Sequence, residues 1–98
     1  MSQTQSAQPA TIVGAATIPL TQPITTAAGT KVEAITMRRA KVKDLRRMND
    51  FGTSDAAQEI GMMAHLSGMP AEDFDELDAA DYRKLQDTFR GFLGINAA

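Results

Sequence analysis

The sequence has no cysteine, no tryptophan and a single histidine among its 98 residues, and only 5% of it is aromatic. Without thiols there are no disulfide staples, no Cys-based metal sites and no cysteine nucleophile. No apolar run approaches the roughly 20 residues of a membrane-spanning helix, and the N-terminus lacks the basic start of a signal peptide. The expectation is therefore a soluble protein that stays inside the cell that makes it, with no membrane partner. Charge of either sign is missing from the first 30 residues, since every Lys, Arg, Asp and Glu lies from Lys31 onward. The folded part is thus expected to be shorter than the chain, and a domain that small buries only about 60% of its unfolded surface. A core so thin favours contacts with a partner or with further copies. The length excludes a multi-step enzyme with its own cofactor domain, and a net charge of -2 argues against general nucleic-acid binding.

What is present reads as an α+β fold. Residues 1–17 have no sustained period and little side-chain bulk, which predicts a flexible tail ahead of a single domain over residues 18–98. Ile18 to Ile24 carries two prolines, as an edge strand can. A turn signal at Ala28-Gly29 leads to the β-branched segment Lys31 to Arg38, and together these predict a β-hairpin over about residues 19–38. A lone hairpin is marginal in water, so three or four short helices must cover it. Val42, Leu45 and Met48 repeat at helical spacing and predict an amphipathic helix over residues 41–51. Ser54 or Asp55 can cap a second helix over residues 54–67 that stops at Gly68, ahead of Pro70. After an acidic turn at residues 71–76, Asp78 can cap a last helix over residues 79–93, which should bury Tyr82, Leu85 and Phe89.

Catalysis has almost nothing to work with, and neither a cofactor site nor a catalytic site is predicted. His65 lies opposite Ile60 and Met63 on the second helix, which predicts an exposed histidine. Glu72, Asp73, Asp75, Glu76, Asp78 and Asp81 invite a calcium reading. The alternation an EF-hand loop requires is interrupted at Leu77 and no glycine follows, so a solvated turn of helix-start charges is favoured and no metal site is predicted. Arg38, Arg39, Lys41, Lys43, Arg46 and Arg47 make the one basic concentration, and the two helices joined across Phe51-Gly52-Thr53 could be a helix-turn-helix. The second helix would then enter the major groove, yet residues 54–70 hold no Lys or Arg, while Asp55 and Glu59 stand at the end that would face DNA. A solvated basic face, pairing with the acidic turn or with an acidic partner, is the better reading.

The second helix is the informative element. Ala56, Ala57, Ile60, Met63, Ala64, Leu66 and Ser67 share an arc that Met62 widens to roughly twice the usual packed stripe. Two readings stay open: a central helix covered on both sides, or a helix whose Met62 and Leu66 edge is left for a partner. Flexible thioethers suit a surface that accepts varied apolar helices, and Met69 and Phe74 could extend it. The candidate partner-binding residues are therefore Met62, Leu66, Met69 and Phe74.

These segments resemble the phage tail assembly chaperone family of Mu-like and related contractile-tailed phages. The similarity runs through Leu20-Thr21-Gln22-Pro23-Ile24 with Gly29, then Ile35-Thr36-Met37-Arg38-Arg39 leading to Lys41-Val42-Lys43-Asp44-Leu45-Arg46. It continues through Ala64-His65-Leu66-Ser67-Gly68-Met69-Pro70 to Leu77-Asp78-Ala79-Ala80-Asp81-Tyr82 and Leu85, covering about residues 18–93. The resemblance implies a non-enzymatic protein that binds the helix-rich tape measure protein, keeps it soluble, helps tail tube subunits gather around it and then leaves. It further implies action in the host cytoplasm and absence from the mature virion; a homo-oligomer, at least a dimer, is expected separately from the thin core, the apolar edge of the second helix and a hairpin edge left free to pair. A second, longer product made by ribosomal frameshifting is also implied, and Gly91-Phe92-Leu93 is compatible with a slippery codon run. A small DNA-binding regulator and a structural tail component are the alternatives from other classes.

Overall fold

The structure, a computed structural model, describes residues 14–94. The expected tail lies almost wholly outside the described residues; its last two positions, Ala16 and Thr17, open the first strand. Strand β1 (Ala16–Thr25) pairs antiparallel with β2 (Lys31–Met37), and four helices follow. These are α1 (Val42–Leu45), α2 (Asp55–Ser67), α3 (Ala71–Phe74) and α4 (Ala79–Phe92), with a 3-10 turn over Met48–Phe51 between α1 and α2. The predicted α+β class is what the chain adopts.

Alternation along the hairpin sends Ile18, Leu20, Ile24, Ile35 and Met37 into the core, while the hydroxyls of Thr17 and Thr36 meet at 2.8 Å on the outer side. The register then breaks. From the Pro19↔Ala34 pair to the Ile24↔Val32 pair, β1 advances five residues and β2 only two. The extra residues of β1 bulge out of the ladder, and their amides need acceptors from elsewhere. Both strands are edges of a two-stranded sheet, which is why Pro19 and Pro23 are tolerated.

Local signals set the two long helices. The Ser54 side chain accepts from the Ala57 amide at 3.0 Å and Asp78 accepts from the Ala80 amide at 3.0 Å. Gly68 ends α2 at φ +69°, a conformation that side chains with a Cβ rarely adopt. Met62, Met63, Ala64 and Leu66 of α2 are buried together with Leu85, Phe89 and Phe92 of α4 and the inner face of the hairpin. Leu85 and Phe89 are buried as expected, whereas Tyr82 is half-buried. Between the two readings of the second helix, the structure has the central one.

The predicted helix over residues 41–51 is the main departure. It divides into a four-residue helix and a 3-10 turn, and the apolar positions face the wrong way: Val42 is 73% exposed and Leu45 38% exposed, while Asp44 is buried. The cause is a polar network that outweighs burying two aliphatic side chains. Gly61 then lets the turn close against α2, because a Cβ there would collide with Phe51.

Candidate partner-binding surface

Three buried carboxylates position the surface. Asp44 receives both terminal nitrogens of Arg38, each at 2.9 Å, together with the Lys41 amide at 2.8 Å and His65 Nε2 at 3.2 Å. Arg38 donates through its backbone amide to the Leu66 carbonyl at 3.1 Å, so this cluster joins the end of β2, α1 and α2. The Arg38 hydrogen bonds hold Asp44 well below the usual carboxylate range despite its burial, and the same bonds raise Arg38. His65 is half-buried and also lies against Phe51 at a centroid distance of 5.7 Å, so the expected exposed histidine is corrected: Asp44 recruits it inward.

Asp81 is the acceptor that the β1 bulge requires. Its carboxylate takes the Thr21 amide at 3.0 Å, the Gln22 amide at 3.0 Å and the Thr21 hydroxyl at 2.9 Å, with Lys84 Nζ 3.2 Å away. These bonds, the Thr21 amide foremost, keep Asp81 well below the usual carboxylate range although it is fully buried. Asp73, also buried, accepts from the Ala27 amide at the hairpin turn at 3.0 Å. The solvated acidic turn is thus corrected in part. Asp73 and Asp81 fasten the hairpin to α3 and α4, and only Glu72, Asp75, Glu76 and Asp78 face solvent. Among the described residues no group of three or more His, Asp or Glu side chains is placed to hold a metal ion.

Of the four candidate partner residues, the structure places Met62, Leu66 and Phe74 in the core and leaves Met69 half-buried beside it. An open Met62–Leu66 edge is therefore not what the fold presents: hairpin and α4 cover the arc from two sides. The accessible apolar surface is elsewhere. Phe74 forms the floor of a groove of about 210 Å³ between α2, α3 and the start of α4, walled by Ile60, Leu77, Ala79 and Tyr82 with Asp75 at its lip. Phe74 and Tyr82 meet edge to face at 6.5 Å, and the Tyr82 hydroxyl donates to Glu59 at 3.3 Å. Burial, with Glu59 beside it, raises the Tyr82 phenol. The second accessible feature is α1, whose Val42 and Leu45 project among Lys41, Lys43 and Arg46, all exposed. Sequence reasoning missed this pair because it assigned both residues to a buried face; the available signal was Asp44, three positions after Lys41 and able to accept its amide.

An apolar groove with an acidic lip and an apolar projection with basic flanks define a small protein-interaction module. The chain belongs to the family of phage tail assembly chaperone proteins, E, or 41 or 14, whose model matches residues 17–94. No curated protein and no solved structure matches it. Membership assigns a role in tail assembly and interaction with tail proteins, and a chaperone family points to a non-enzymatic role. Among the described residues no helix is long and apolar enough to cross a membrane.

Proposed function

We propose that this chaperone binds the tape measure protein before tail assembly, keeps it soluble and helps tail tube subunits gather around it. The observation that carries the reading is the family match over residues 17–94, and the groove above Phe74 supports it by offering apolar side chains a place to dock. Of the four candidate contact residues, the half-buried Met69 would touch a partner and the buried Phe74 would do so only as the floor of the groove, while Met62 and Leu66 would act from beneath by holding α2 in place. The chain would act without catalysis in the host cytoplasm, associate with copies of itself and be absent from the finished virion. A longer frameshifted product would share residues up to about Gly91-Phe92-Leu93, and the nucleotides across those codons test that.

The direct test is co-expression with the tape measure protein. The expected result is a soluble complex that purifies together, with the tape measure protein aggregating when expressed alone. A tape measure protein equally soluble without the chaperone, with none retained on it, would overturn the reading. Protein analysis of purified virions separates the chaperone from a structural tail component, which would persist in the particle.

A further inference from the structure

We infer that the chain assembles head to tail, with Val42 and Leu45 of one copy seated in the Phe74–Leu77–Tyr82 groove of the next. The inference deepens the self-association proposed above, and a copy seated in the groove excludes the tape measure protein from it. Charge is unevenly distributed along the chain. The basic block Arg38 to Arg47 holds six of the ten Lys and Arg residues, and the acidic block Glu72 to Asp81 holds six of the twelve Asp and Glu residues. In each block the structure uses some charges internally: Arg38 on Asp44, Arg47 on Asp50, Asp73 on the hairpin turn and Asp81 on the bulge. The charges left over are of opposite sign. Lys41, Lys43 and Arg46 are exposed beside Val42 and Leu45 in the chain, whereas Asp75 lines the groove, and the exposed Glu76 and Asp78 adjoin its lining residues Leu77 and Ala79 in sequence. No ion pair among the described residues joins these two sets within one chain.

Shape agrees with charge. An engineered apolar cavity of about 150 Å³ accommodates a benzene molecule, so a groove of about 210 Å³ can take aliphatic side chains of the size of Val42 and Leu45. Neither residue lines the groove of its own protomer, and both are exposed. A second copy supplies the missing half of each surface. Because the two surfaces differ, the contact is heterologous, and each added copy presents a fresh knob and a fresh groove, giving a ring if the rotation closes and an open chain if it does not. Opposite charge around an apolar centre is also how steered, orientation-specific association is built.

Light scattering on the full chain over a range of concentrations tests this. The wild-type mass should rise beyond a dimer. Leu45→Asp removes the knob and Ala79→Arg fills the groove, both at exposed positions, so circular dichroism should stay unchanged while association weakens about 30-fold or more, as loss of an interface hot spot does. Each variant alone should remain monomeric, yet their mixture should form a one-to-one pair that grows no further, because one intact knob and one intact groove remain. A two-fold symmetric dimer would not behave in this way. Reversing Lys43 and Arg46 to Glu should weaken assembly, and reversing Asp75 and Glu76 to Lys in the same chain should restore it. A monomer at all concentrations, self-association that both variants leave intact, or a mixture that stays monomeric would overturn the inference. So would a Leu45→Asp chain that assembles normally but no longer retains the tape measure protein. Co-purification of the wild type reads the chaperone function separately.

Discussion

Asp81 does at the scale of one side chain what a longer strand pairing would otherwise do. The bulge in β1 frees the amides of Thr21 and Gln22 from the ladder, and a buried carboxylate without donors is costly in turn. One carboxylate serves both, because an ionised Asp accepts through two oxygens. Asp81→Asn keeps the shape but replaces one oxygen with a donor facing the Gln22 or Thr21 amide, so the variant should melt at a lower temperature with the wild-type topology retained. The pH dependence follows from the same bonds. Asp44 and Asp81 titrate below their unfolded value of about 3.9, so the native state binds fewer protons than the unfolded state in the acid range. Their contribution is present in full above the unfolded value and is lost as pH falls through about 4 toward the folded-state values. Thermal unfolding followed from neutral pH downward should show the midpoint falling below about pH 5, and falling less steeply in Asp81→Asn. Equal slopes in the two proteins would contradict the assignment.

Among the elements, α4 carries the most interpretable packing. Leu85 is completely buried between Asp81 and Phe89 on one stripe, and Leu85→Ala should cost about 2–5 kcal/mol in denaturant unfolding. In a domain this small that loss can prevent folding. The approach of the 3-10 turn to α2 gives a second expectation: Gly61→Ala overpacks the contact with Phe51 and should cost about 1–3 kcal/mol, although alanine is the better helix former. An unchanged or raised midpoint would mean that the turn yields.

The same elements explain what could be read in advance. Helices α2 and α4 were legible because their ends depend on Ser54, Gly68 and Asp78 acting on neighbours in the chain, and because three or more turns give a period time to register. Helix α1 is one turn long, too short for a period to mean anything, and its orientation is decided by Arg38 and His65 acting on Asp44. The acidic block was misread in part for a related reason. Asp81 meets Thr21 across 60 positions of sequence, and Asp73 meets Ala27 across 46, so nothing local distinguishes them from the exposed Asp75 and Glu76. The partner surface was the least legible, since the Met62–Leu66 part of the apolar arc of α2 is buried in the core while Ile60, on the same arc, walls the groove.

At the scale of the whole molecule, the hairpin and the helical layer cannot be separate folding units. A two-stranded sheet is marginal alone, and here three buried carboxylates anchor the hairpin to the rest: Asp73 at the turn, Asp81 at the bulge and Asp44, through Arg38, at the end of β2. Lys84 adds a bond to the Pro19 carbonyl at 2.9 Å, and Arg39 reaches across to the Phe92 carbonyl at 3.3 Å while lying over the Phe92 ring. The helices depend on the hairpin in return, because Met62, Met63 and Leu85 are buried in the cluster that Ile18, Ile24 and Met37 complete. Unfolding should therefore be a single transition. Far-ultraviolet circular dichroism, which follows the helices, and Tyr82 fluorescence, which follows the groove, should give coincident urea curves. Hydrogen exchange should show the protected amides of β1 and α4 opening with the same free energy, and Asp81→Asn should lower both equally. Hairpin amides that exchange early while α4 stays protected would show that the anchors hold the hairpin in place without coupling its stability to the helices.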